Sequence, residues 1–371
     1  MGLAAWLTIP ASPTFAADRP PNVIIILTDD QGYNDLGCYG STLIKTPRID
    51  QMAAQGMRFT DFYSPAPVCT PTRAGLLTGC YPQRISMCLF PEERPNGSLG
   101  HVLFIRSRHG LHPSEITIAE LLKARGYATG MIGKWHLGDA PEFLPTRQGF
   151  DFYLGIPYSN DMNPVVLMRD EKVIEEPVNQ DTLTKRYTEA AVKFIGNHQA
   201  KPFFLYLAHN MPHTPIHASE NFRGKSARGL YGDVVEELDW SVGQILDTLN
   251  LLKIDENTLV VFTSDNGPWH MRGEQGGSAF PLRAGKGTTY EGGMRVPFIA
   301  RWPEHIPKGT TSGEPLSHLD LMPTLAALAG ASPPADRTID GKDISPILLG
   351  KPDAKNPHEA FFYFADGSLN A

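Results

Sequence analysis

Two kinds of apolar pattern alternate along this chain. Asn22-Val23-Ile24-Ile25-Ile26-Leu27 is a continuous, β-branched run, the mark of a strand buried on both faces of a parallel sheet. Pro202 to Leu207 and Thr258 to Phe262 read the same way, and Tyr127 to Ile132 and Val296 to Trp302 are further strands. Between them apolar residues recur at helical spacing. Tyr187, Ala191, Phe194 and Ile195 do so within Thr184 to His198, and Val234, Leu238, Val242, Ile245 and Leu249 within Tyr231 to Leu252. Shorter helices are marked by their ends. Thr46-Pro47 opens one that Gly56 closes, and Thr117-Ile118-Ala119-Glu120 is a capping box with Gly126 as its stop. Leu319 to Ala329 is another helix, and Ala360 to Phe364 starts a further strand. Alternating strands and helices predict right-handed crossovers, hence an α/β fold with a large, mostly parallel sheet covered by helices on both faces. Arg94 to Pro113 and Trp269 to Gly287 are Gly-rich and irregular, as loops around a cleft are.

Composition narrows the picture. The 371 residues, 41% of them apolar, supply a sizeable core for one large domain or two. A formal charge of −7 excludes a broad nucleic-acid surface but not a locally positive pocket for an anion. No apolar run is long enough to span a bilayer. Ala16 and Ala17, after Thr14-Phe15, form a signal-peptidase-like site without a basic region ahead of it, so 1–17 reads as a signal-peptide remnant. Cys38, Cys69, Cys80 and Cys88 are too few for a disulfide framework; Cys80 and Cys88 are near enough to pair, though nothing requires it.

Polar clusters follow the strands: Asp29-Asp30, Lys134 with His136, His209 with His213, and Asp265-Asn266. Ligands in open α/β sheets bind beyond the carboxyl ends of strands, so the four clusters point to one site. Asp29, Asp30, Asp265 and Asn266 form an all-oxygen set that would repel itself without a cation, which favours Ca²⁺ or Mg²⁺ over Zn²⁺. Singly, Asp-Asp and Asp-Asn-Gly are ordinary turn formers. Lys134 and His136, one residue apart, face the same side if extended; singly, they read as a solvated lysine and a satisfied histidine.

Cys69-Thr70-Pro71-Thr72-Arg73-Ala74-Gly75-Leu76-Leu77-Thr78-Gly79 resembles, over eleven consecutive positions, the signature of the type I sulfatases. A lone free cysteine is more often a small buried hydrophobe. Other segments extend the likeness. Thr28-Asp29-Asp30-Gln31-Gly32 and Thr263-Ser264-Asp265-Asn266-Gly267 are similar to the family's metal-ligand motifs, and Gly133-Lys134-Trp135-His136-Leu137-Gly138 to its Lys-x-His motif. Ala208 to Pro215 resembles the second histidine segment, with His213 functional and His209 and His217 structural or peripheral. Leu282 to Gly293 resembles the segment bearing a second lysine, here Lys286, and Gly155 to Asp161 one bearing a substrate-contacting serine, here Ser159. Ser317-His318-Leu319-Asp320 and Asp340-Gly341 also fit, and the likeness runs from Pro21 to about Leu349. Order and spacing match the arylsulfatase A and N-acetylgalactosamine-6-sulfatase branches.

The resemblance implies an alkaline-phosphatase-like sandwich: a catalytic domain over 18–355 and, over 356–371, the start of a truncated C-terminal small-sheet subdomain. It implies a sulfuric ester hydrolase acting on carbohydrate sulfates such as 6-sulfated N-acetylgalactosamine or galactose, and on aryl sulfates. Cys69 would be oxidised by a maturase to formylglycine, whose hydrate attacks sulfur with one hydroxyl and expels sulfate with the other. Asp29, Asp30, residue 69, Asp265 and Asn266 would hold the metal, Ca²⁺ usually and Mg²⁺ alternatively. Arg73, Lys134 and Lys286 would stabilise sulfuryl charge, with Arg73 also holding residue 69, and His136 would act as base. His213 or Lys286 would assist the leaving oxygen, and Ser159, Lys134, Lys286 and His213 would contact substrate. Export to a bacterial periplasm or medium accompanies this reading. Two alternatives stand beside it: a phosphonate or phosphate monoester hydrolase of the same superfamily, and an inactive, binding-only relative.

Overall fold

The computed structural model describes residues 19–90, 101–365 and 368–370. The leader reading at 1–17 and part of the Arg94 to Pro113 loop lie outside them. Ten strands form one twisted sheet. Across it run Thr310–Ser312, Met57–Phe59, Phe298–Arg301, Thr258–Ser264, Asn22–Thr28, Phe203–Ala208, Ala128–Gly133, Phe152–Gly155, Leu167–Arg169 and Lys172–Glu175. The five from Thr258–Ser264 to Phe152–Gly155 are parallel to one another. Antiparallel pairings appear only outside that centre, at Phe298–Arg301 and at the Leu167–Arg169 and Lys172–Glu175 hairpin. The mixed sheet therefore keeps a parallel centre, as the apolar runs predict.

Successive residues of a central strand enter opposite cores. Val23, Ile25 and Leu27 face the helices Cys69–Thr78, Ile118–Ala124 and Leu321–Leu328. Ile24 and Ile26 face Pro47–Gln55, Leu183–His198 and Leu230–Leu251. That period of two explains why these strands carry no polar face. The capping box is made: Glu120 N donates to Thr117 Oγ1 at 3.2 Å, and Thr117 N to Glu120 Oε2 at 2.8 Å.

The expected Ala360 to Phe364 strand is corrected. Only Phe364–Ala365 pairs, antiparallel, with Ser368–Leu369. Phe361 and Tyr363 stack beside Tyr63, and Phe362 beside Tyr81, at centroid distances of 5.9 to 6.2 Å. Aromatic contact with the domain, rather than a ladder, holds this run.

Candidate active site

Four adjacent parallel strands deliver their following residues to one edge: Asp265-Asn266, Asp29-Asp30, His209 to His213 and Lys134 to His136. A sharp exit is required after Ala128–Gly133. Gly133 has φ 112, and a Cβ there would lie 1.8 Å from the Ala208 carbonyl oxygen, which accepts from Lys134 N at 2.7 Å. Asp30 and His136 also adopt left-handed backbone, at φ 66 and 58. Strain of this kind costs about 1–3 kcal/mol per residue and gathers at functional sites. Cys69 begins the helix Cys69–Thr78, Arg73 lies one turn on, and Lys286 comes from the irregular Trp269 to Gly287 loop.

Three cations meet three carboxylates here. Arg73 donates through Nε and Nη2 to Asp265 Oδ2 at 3.1 and 2.9 Å, and through Nη1 to the Lys134 carbonyl at 2.7 Å. Its hydrogen bonds thus go to Asp265 and the backbone, where the resemblance implied residue 69. Lys134 Nζ lies 2.5 Å from Asp29 Oδ2 and donates to Ser159 Oγ at 3.0 Å. Lys286 Nζ lies 2.8 Å from Asp30 Oδ2 and 3.6 Å from Cys69 Sγ. Asp29, Lys134, Arg73, Asp265 and Asn266 are wholly buried.

Burial alone would raise every carboxyl, and the neighbours sort them. Lys134, with Arg73 and Lys286, overrides burial and holds Asp29 well below its ordinary value. Asp30 is raised, because burial and the Asp29 charge outweigh Lys286. Asp265 is pushed up to about 7 by burial and Asp29, against Arg73. Burial also takes the Cys69 thiol up to about 12 despite Lys134 and Lys286, so the unmodified thiol keeps its proton and is a poor nucleophile.

A hydrogen-bonded circuit that no sequence pattern announces surrounds His136. Its Nε2 lies 2.8 Å from the Leu103 carbonyl, which can only accept, so Nε2 carries the proton. Leu103 N donates to Thr70 Oγ1 at 3.2 Å, and Thr70 Oγ1 donates to the His136 carbonyl at 3.0 Å. The circuit joins the residue next to Cys69, the segment after the undescribed 91–100 and the Lys134 to His136 turn. It leaves Nδ1 of His136 buried without a partner. Burial and Lys134 hold this imidazole neutral, so Nδ1 presents a lone pair. His213 is oriented likewise: Nδ1 donates to the Thr214 carbonyl at 2.6 Å, and Nε2 stands 3.7 Å from Asp30 Oδ2.

The donor set could hold a divalent cation. Both Asp29 oxygens lack a directed hydrogen bond although Lys134 lies close, and buried Asn266 Oδ1 has no partner at all. One ligand atom each from Asp29, Asp30, Cys69 and His213 lies within 4.8 Å of the others. The predicted ligand Asp265 instead serves Arg73 and the Asp30 amide, and Asn266 donates to Asp30 Oδ1 at 2.7 Å. His209 sits against Ser241 Oγ at 3.2 Å and His217 against Asp181 at 2.8 Å, outside the cluster. Cys80 and Cys88 are free thiols. Trp269 was not singled out in the sequence, yet its ring lies 5.7 Å from His213 and 4.6 Å from Lys286 Nζ.

A central parallel sheet whose strand ends bring three cations and three carboxylates around a cysteine is the framework of an enzyme that handles an anionic ester. The family profile described as Sulfatase matches residues 21–331. Human (Homo sapiens) arylsulfatase A is 45% identical over 98% of this chain and 74% of that protein. N-acetylgalactosamine-6-sulfatase of the dog (Canis lupus familiaris) is 43% identical over 96% of this chain and 70% of that protein. Among solved structures, Ps i-CgsB in complex with k-i-k-neocarrahexaose superposes with TM-score 0.81 at 35% identity, covering 94% and 80% of the two chains. The chain belongs to the sulfatase family and is a sulfate-ester hydrolase. Sulfatases generally use formylglycine and a divalent metal, and the buried Asp-Asp-Cys-His group could hold one. Among the described residues, no helix is long and apolar enough to cross a membrane.

Proposed function

We propose that this sulfatase removes sulfate from sugars, 6-sulfated N-acetylgalactosamine or galactose foremost, and from aryl sulfates incidentally. The observation that carries the reading is the convergence of Lys134, Lys286, Asp29 and Asp30 on Cys69, with Lys286 Nζ 3.6 Å from its sulfur. The relative named N-acetylgalactosamine-6-sulfatase and the neighbour bound to a carrahexaose support a carbohydrate substrate. Residues 18–355 form the catalytic domain in this reading, and the enzyme is exported from a bacterium whose maturase converts Cys69.

When present, formylglycine at position 69 supplies the nucleophile and Ca²⁺, or Mg²⁺, supplies charge for the sulfuryl oxygens. Asp29, Asp30, residue 69, Asp265 and Asn266 would hold the ion, since the Asp265 oxygens that accept from Arg73 and the Asp30 amide keep a further lone pair each. Lys134 and Lys286 fix two positive charges before substrate arrives, so little reorganisation accompanies charge development. Ser159, tied to Lys134, orients the sulfate. His136 Nδ1, its lone pair fixed by the Leu103 bond, takes the proton from residue 69. Lys286 already carries protons, whereas His213 Nε2 presents a lone pair. That contrast favours Lys286 as donor to the leaving oxygen and His213 as its acceptor neighbour.

Mass spectrometry of the tryptic peptide containing residue 69, from protein made with its maturase, tests the reading. Formylglycine lowers the peptide mass by about 18 Da relative to cysteine. The aldehyde, together with hydrolysis of an aryl sulfate in preference to the matching phosphonate, is the expected outcome. An unmodified thiol in every copy would remove the catalytic reading.

A further inference from the structure

Beyond the sulfate-binding cluster, a cavity of about 510 Å³ opens between the loop after Ser159 and the turn His270–Gln275. Asp161, Thr214, Pro215, Met271, Arg272 and Gln275 line it. Its walls continue the catalytic segments directly. Thr214 and Pro215 follow His213, Asp161 lies two residues after Ser159, and Asn160 Nδ2 ties these two walls together by donating to the Pro215 carbonyl at 3.0 Å. Arg272 is held over the Trp269 ring at 3.8 Å, and the same indole contacts His213 and Lys286. The Trp269 indole thus bridges the Lys286–His213 pair and the Arg272 wall of the cavity.

We infer that the cavity is the leaving-group subsite and that Asp161 and Arg272 select a hydroxyl-rich sugar ring over an aryl group. This inference rests on the sulfatase reading above and extends it to residues to which the resemblance assigns no role. The volume falls within the range of about 300–1,000 Å³ that small-ligand sites occupy. Four of its six lining residues, Asp161, Thr214, Arg272 and Gln275, end in hydrogen-bonding groups, and Met271 and Pro215 supply apolar contact. A sugar presents hydroxyls at its rim and C–H groups on its faces, which this mixture matches. A flat aryl group offers no hydroxyls to the Asp161 carboxylate or the Arg272 guanidinium, so it forgoes the charge-assisted hydrogen bonds that a sugar would make there. Asp161 accepts from hydroxyls; Arg272 donates, and its stacking on Trp269 fixes its direction.

The test uses full-length protein whose residue 69 has been verified as formylglycine. The specificity constant kcat/KM is measured for N-acetylgalactosamine 6-sulfate, galactose 6-sulfate and 4-methylumbelliferyl sulfate, in the parent and in Asp161→Asn, Arg272→Gln and the double variant. The ratio of sugar to aryl kcat/KM is expected to fall about tenfold in each single variant and further in the double one. Both positions are exposed, and melting curves would confirm that the variants fold. An unchanged ratio, or parallel loss on both substrate types, overturns the subsite. A parent that cleaves the aryl sulfate and neither sugar sulfate overturns it too, while leaving the sulfatase reading intact. A parent that carries the aldehyde yet cleaves none of the three would defeat both.

Discussion

At the carboxyl ends of the central strands, Arg73 and Lys134 are buried with Asp29, Asp30 and Asp265 beside the half-buried Lys286, and Asn266 Oδ1 and His136 Nδ1 remain unpartnered. At the amino ends, Arg301 meets Asp255 in a bidentate pair at 2.7 Å for both bonds, and its Nε donates to Gln55 at 2.8 Å. That charge at the amino ends has dedicated partners for all three of its guanidinium nitrogens. The other end shares charges among several neighbours and leaves buried lone pairs without partners. Satisfied pairing is what structure alone requires. Unsatisfied convergence signals a ligand, here a cation and an anionic ester, that completes the set.

The contrast can be broken most sharply at Cys69. Cys69→Ala should lower kcat/KM on aryl sulfate by at least about 10⁴-fold, with folding retained, because no neighbouring group can replace the nucleophile. Arg73→Ala comes next. It strands Asp265 in the interior and should reduce the unfolding free energy by about 3–5 kcal/mol in urea titrations. Removing divalent ions with a chelator and then restoring Ca²⁺ should raise the melting temperature. At a hundredfold excess over Kd the ion would contribute about 2.7 kcal/mol, and Asn266→Leu should reduce the gain. If that variant responds like the parent, Asn266 Oδ1 is not a ligand. At the amino ends, Asp255→Asn should cost about 1–2 kcal/mol of stability and leave steady-state kinetics on aryl sulfate unaltered. The smallest effect is expected at Thr70. Thr70→Val should lower kcat by roughly tenfold with little change in KM, and Thr70→Ser should restore it, once equal formylglycine content is verified by mass. Equal kcat in all three proteins would mean that the Thr70–Leu103–His136 circuit does not position the base.

Much of this was legible in the sequence. The central strands were readable because burial on both faces leaves unbroken apolar runs such as Val23 to Leu27. The Thr117 capping box was readable because its partners are three residues apart. The Asp29-Asp30, Lys134/His136, His209/His213 and Asp265-Asn266 clusters could be placed because each follows such a strand, whereas Cys69, Arg73, Lys286 and Ser159 were named through the resemblance alone. The outer hairpin was not readable: it is short, and Val173 and Ile174 are half exposed, so no apolar pattern marks it. The aromatic run at 360–364 misled because strand-forming residues also serve for packing against Tyr63 and Tyr81.

By itself, then, the sequence determined the parallel centre of the sheet and the residue types at its strand ends, because both depend on neighbours along the chain. Tertiary structure alone decided how those residues divide their bonds. Arg73 claims Asp265, Lys134 sits by Asp29, Lys286 bonds Asp30, and Thr70 fixes His136 through Leu103. These partners lie tens to hundreds of residues apart. Their pairing follows from strand order and from the low dielectric of a buried site, where each charge acts strongly on all its neighbours at once.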